Sequence, residues 1–244
     1  MFEKFKNLFG KTQDDADAQP PLTPAENTEA DKAAMSVEAL KQVAKFAKEK
    51  KLTFAERPGG RGYTLDGQIQ GKPFKIERGS SSRQYIEGVE LRARCDLGVS
   101  PNAVLMIANR YLKKSLDENA YSAFTDTMET MVNTNMPEEV LWMTMYGEVG
   151  WHDLSERFVS DYCILAEDKN LARALVDSKV EKLLTSWPEH RITNPLVVML
   201  MRGRVYLRMQ YDDDSFTLDH AIDCLHGFCE QVLAKQALLA AQDQ

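Results

Sequence analysis

This chain is short of cysteine, of long apolar runs and of positive charge, and each shortage removes a class of function. Its 244 residues include four cysteines, Cys95, Cys163, Cys224 and Cys229, with no paired spacing. That excludes a disulfide scaffold and predicts buried free thiols in a reducing compartment, so the expected location is the cytoplasm. The longest apolar runs, such as Leu196–Met201, hold six residues, far below the roughly 20 that a membrane-spanning helix needs. No apolar h-region with a small-residue cleavage site is present, so no signal peptide is expected. The net charge of −7 argues against bulk nucleic-acid binding. Phosphate-loop patterns are also missing. Arg57-Pro58-Gly59-Gly60-Arg61-Gly62 lacks the Gly-Lys-Ser/Thr ending, and a hairpin turn accounts for its glycines.

The charge that is present is unevenly spread. Residues 36–116 carry 16 Lys+Arg against 8 Asp+Glu, a net of +8, and residues 117–244 carry 10 against 22, a net of −12. The two halves either neutralise each other within one fold or make an oriented molecule whose basic side faces an anionic partner.

Residues 1–11 stand apart from the rest. On a helix Phe2, Phe5, Leu8 and Phe9 share one face, and Lys4, Lys6 and Lys11 lie on or beside the other. A short basic amphipathic helix suits a membrane surface or a partner groove. The opening Phe5-Lys6-Asn7-Leu8-Phe9-Gly10-Lys11 resembles the amphipathic segments of several bacterial peripheral membrane proteins, which implies peripheral attachment at the inner membrane. Residues 12–35 follow with three prolines, six acids and almost no bulky apolar group. They cannot bury enough surface to offset their ordering entropy and are expected to be a disordered acidic linker.

Residues 36–244 read as one α+β globular domain, with a sub-boundary conceivable near 116–137. Ser36 is placed to cap a helix carrying Val37, Leu40, Val43, Ala44 and Ala47 at helical spacing. Period-two alternation then predicts a four-strand antiparallel meander, in which Val89, Leu91, Ala93 and Cys95 alternate with Glu90, Arg92, Arg94 and Asp96. Residues 103–111 fit a buried strand or a helix capped at Ser100. Helical spacing covers 116–132, and another helix starts at Pro137. Residues 158–165 are predicted to be a strand, and 168–176 and 178–187 two helices. A hairpin runs from Leu196 to Tyr211 around Arg202-Gly203, and a long helix spans about 216–240. The fold class is therefore α+β: an antiparallel sheet, made of an N-terminal meander and a C-terminal hairpin, packed with helices.

Chemistry-bearing residues are few. His152 and Asp153, with Glu156 close by, are the minimum for an acid–base site, and they also suit an ordinary polar loop. Lys75, Arg78, Arg83, Arg92 and Arg94 are candidates for an anionic ligand, although Glu77, Glu87 and Glu90 share their region. His220, Cys224, His226 and Cys229 point in different directions round one helix and cannot close on a tetrahedral ion, so no metal site is expected. Nothing calls for a cofactor. The preferred reading is a non-enzymatic interaction or adaptor protein with a protein partner, held near an anionic membrane by residues 1–11. The alternatives are an enzyme acting around His152 and an anionic-ligand or nucleic-acid module using the basic sheet face.

Overall fold

The computed structural model describes residues 34–126, 138–188 and 191–240. The expected helix over 1–11 and residues 12–33 of the expected linker lie outside them, as does the end of the helix predicted to reach residue 132. Met35, expected in the linker, instead packs against the core and donates its N–H to the Gly60 carbonyl at 3.0 Å.

The first helix, α1 (Val37–Glu49), begins where expected, with the Ser36 hydroxyl accepting from the Ala39 N–H at 3.1 Å. The meander follows as β1 (Thr53–Glu56), β2 (Tyr63–Ile69), β3 (Lys72–Ser80) and β4 (Val89–Asp96). Residues 103–111 take the strand alternative: β5 (Leu105–Asn109) is followed at once by helix α2 (Arg110–Asp126), and no helix starts at Ser100. Helix α3 (Glu138–Met145) and a two-residue strand β6 (Glu148–Val149) come next.

The strand predicted over 158–165 needs correction. Its first part belongs to helix α4 (Glu156–Asp161), and β7 is confined to Tyr162–Ala166. Ser155 decides this, because its hydroxyl accepts from the Phe158 N–H at 3.2 Å and starts a helical turn that the apolar run alone does not reveal. Helices α5 (Lys169–Leu175) and α6 (Ser178–Thr185) are each capped by an aspartate, Asp168 and Asp177. The hairpin is β8 (Leu196–Met201) and β9 (Arg204–Gln210). Its turn places Arg202 at φ 51° and Gly203 at φ 73°, the left-handed pair that a two-residue hairpin requires. A Cβ on Gly203 would lie 2.6 Å from the Val99 carbonyl oxygen, so the position is closed to other residues. The predicted last helix is two, α7 (Ser215–Ala234) and α8 (Gln236–Ala240).

All nine described strands join one antiparallel sheet in the order β1-β2-β3-β4-β9-β8-β5-β7-β6. One face is buried along most of its width beneath residues of α1 and α4 to α8, with Leu65, Ile76, Leu91, Leu207, Val198 and Ile107 inside. The second face is covered over β8, β5 and β7, where Met106, Val197, Met199 and Leu165 meet Leu112 and Leu116 of α2 and Trp142 of α3. Over β2, β3 and the Arg92–Arg94 part of β4 it is left open and carries Asp66, Lys75, Glu77, Arg92 and Arg94.

Candidate binding groove beside the short edge strand

The sheet ends at β6, which pairs with only part of its neighbour: Glu148 opposes Leu165 and Val149 opposes Ile164. Past Val149 the chain leaves the sheet at Gly150 and returns through the Trp151–Leu154 loop to α4. Helix α4 then turns into β7, with the Tyr162 N–H donating to the Phe158 carbonyl. The early departure of β6 leaves a groove of about 270 Å³ between α4, β6 and β7. Val149, Leu154, Phe158, Tyr162 and Ile164 form an apolar floor. Val159 stands on the rim at 44% exposure. The polar end is a single ion pair, Arg110 Nη2 to Glu148 Oε1 at 2.8 Å, and Arg110 Nε also donates to the Val159 carbonyl.

The groove contains no assembled reactive group among the described residues. The Cys163 thiol at its base is buried and donates to the Ala108 carbonyl at 3.4 Å. Burial pushes its pKa up to about 11, with Glu148 adding to the shift, so it stays a neutral thiol near pH 7. Tyr162 also points away from chemistry, its hydroxyl donating to the Leu184 carbonyl at 2.8 Å while burial raises its pKa.

The acid–base candidates lie beside this groove but do not line it. The His152 side chain is 86% exposed, with Nδ1 3.9 Å from Asp153 Oδ1. Asp153 is held by Arg173 at 3.0 Å. Desolvation raises the Asp153 pKa, and the hydrogen bond and charge of Arg173 more than offset that, leaving the carboxyl below its usual range. Glu156 occupies the first turn of α4, where the helix dipole favours an acid. The three residues therefore do not converge on a shared cavity.

The five candidates for an anionic ligand separate. Lys75, Arg92 and Arg94 share the uncovered sheet face. Arg78 follows the Phe74–Ile76 alternation onto the packed face, is 1% exposed, and is paired with Asp213 through Nε at 2.9 Å. Arg83 turns inward to Glu139 at 3.0 Å. Glu139 is fully buried and also faces Arg208 at 3.6 Å, while Arg208 pairs with the buried Glu90. Ser82 completes this network by donating to Glu90 from its backbone at 2.7 Å. Nothing in the sequence signalled it, because its members come from four separate segments.

Among the described residues no group of three or more His, Cys, Asp or Glu side chains is placed to hold a metal ion. His220 Nε2 lies 2.9 Å from the Leu183 carbonyl, and the Cys224 thiol donates to that same oxygen. His226 packs edge-on against Phe74. Among the described residues no helix is long and apolar enough to cross a membrane.

No known family model matches the sequence, and no curated protein sequence matches it. Among solved structures, the crystal structure of the mycobacterial trehalose monomycolate transport factor A aligns with 81% of this chain and 96% of its own, at 10% identity and a TM-score of 0.45. A likeness at that level carries no argument about fold or function.

Proposed function

We propose that the protein is a non-enzymatic adaptor that seats an apolar segment of a partner protein in the groove beside β6. One observation carries this reading: the groove has an apolar floor, an exposed valine on its rim and a single ion pair, with no reactive constellation inside it. A small apolar-lined recess beside a sheet edge is the kind of concavity that can seat a partner's apolar side chain. The exposed, Arg173-bound state of the His152–Asp153 pair supports a polar loop over an acid–base site. Residues 1–11 supply membrane attachment in this reading, with Phe2, Phe5, Leu8 and Phe9 entering the acyl boundary and Lys4, Lys6 and Lys11 meeting anionic headgroups.

Two experiments test the two parts. A photo-crosslinking residue at Val159, introduced in the native host, should trap one protein reproducibly. Val159→Glu should lose that same protein from co-purification, while Lys169→Gln on α5, which also lowers the net charge by one, retains it. Unchanged recovery with Val159→Glu would remove the groove from the proposal. For the membrane part, the full chain should sediment with anionic vesicles, less with neutral ones and less at high salt. Phe5→Glu should abolish sedimentation. A wild-type chain that stays in the supernatant would turn residues 1–11 into a helix for a protein groove.

A further inference from the structure

The uncovered face of the meander contains an arrangement that folding alone does not favour. Lys75 on β3 and Arg94 on β4 are directly opposite each other, and like charges in a cross-strand pair are destabilising. On its other side Arg94 faces Tyr206 of β9, again without an acid. The neighbouring cations are matched: Arg92 by Glu77 at 2.8 Å and Arg204 by Asp96 at 3.1 Å. Glu77 also reaches Lys75, at 3.7 Å. Arg94 is exposed and has no ion-pair partner among the described residues.

One exposed guanidinium without an ion pair therefore stands on a face where Arg92, Arg204 and Lys75 each reach an acid and where Asp66 lies across from Lys75 on the other side. That pattern selects among anions. A continuous polyanion, whether a nucleic-acid strand or a phospholipid surface, would lay negative charge over Glu77 and Asp96 as well as over Arg94, and like-charge juxtaposition is costly. A peptide with carboxylates spaced by neutral polar residues can put one carboxylate on Arg94 and leave those acids unopposed. Guanidinium is suited to this because it binds a carboxylate through two parallel hydrogen bonds. We infer that the β3–β4–β9 face is a second docking surface, for an acidic extended segment of a partner protein, with Arg94 as its anchor and Lys75 as a supporting cation. It is distinct from the groove, since β9, β8, β5 and β7 lie between β4 and β6.

The test uses the full chain and a short fluorescent peptide of alternating glutamate and serine, followed by anisotropy. Arg94→Glu should fold normally, because it places an acid opposite Lys75. It should weaken peptide binding by about tenfold or more, equivalent to the loss of ~1.4 kcal/mol. Lys169→Glu, with the same charge change on the acidic half of the chain, should bind like wild type. Binding should also fall as salt rises. Equal affinities for wild type and Arg94→Glu would overturn the assignment. So would a single-stranded oligonucleotide or an anionic vesicle binding more tightly than the peptide and losing that advantage in Arg94→Glu, which would reassign the face to a polyanion.

Discussion

The two ends of the sheet treat neighbouring residues differently. In β5 and β8 adjacent side chains point to opposite faces and both are buried: Met106 and Ile107 are each 0% exposed, as are Val197 and Leu200. In β4 the same alternation separates Leu91, 0% exposed, from Arg92, 32% exposed at its side chain. The difference is whether a helix covers the second face. With α2 and α3 over it, the strand must be apolar throughout. Without them, it can afford charges on one side, and those charges become available for recognition. Strands buried on both faces read as continuous apolar runs, and half-covered strands read as alternation.

The strongest test of this contrast is Glu139, which joins the two regions from α3. Glu139→Ala leaves Arg83 and Arg208 without their shared carboxylate, and breaking a buried pair in this way typically costs about 3–5 kcal/mol. Chemical denaturation should register that loss. A cost under about 1 kcal/mol would mean that the network is solvated and does not tie α3 to the meander. Next in size are Met106→Ala and Ile107→Ala, expected to cost about 2–5 kcal/mol each. If only one of them is costly, the second face of β5 is not a packed core and the contrast collapses.

The equivalent pair in the meander should split. Leu91→Ala should cost about 2–5 kcal/mol, whereas Arg92→Ala should stay within about 0.5 kcal/mol of wild type. Similar losses at both would mean that something covers the second face of β4 in solution. The smallest expected effect is the most diagnostic of function. Arg94→Glu replaces a repulsive cross-strand pair with an attractive one and should stabilise the fold by about 0.2–1 kcal/mol. A variant that folds better and binds the acidic peptide worse identifies Arg94 as a residue kept for recognition. A destabilised variant would show that Arg94 already has a stabilising role in the fold.

Much of this architecture could be read from local pattern. Ser36 announced α1, the alternation at 89–96 set the register of β4, and the apolar run at 196–201 followed by Arg202-Gly203 defined the hairpin. Arg78 is instructive, because its parity with Phe74 and Ile76 already put it on the packed side, although a charged residue there argues against that side until its partner is known. That partner is Asp213, 135 residues away. The run 158–165 misled because apolar content does not distinguish a strand from a short buried helix, and the deciding feature was one hydroxyl at Ser155.

Periods of 2 and 3.6 are properties of a few consecutive residues, so the amino-acid order was enough to place most of the helices and strands and the inward side of the clearly periodic ones, though not α4 or β6. The pairing of β4 with β9, the burial of Glu139 between Arg83 and Arg208, and the groove left where β6 stops after two residues all depend on segments distant in the chain. Those features exist only once the sheet has closed its long loops and the helices have taken their places, because contacts between distant segments leave no periodic trace in the order of residues.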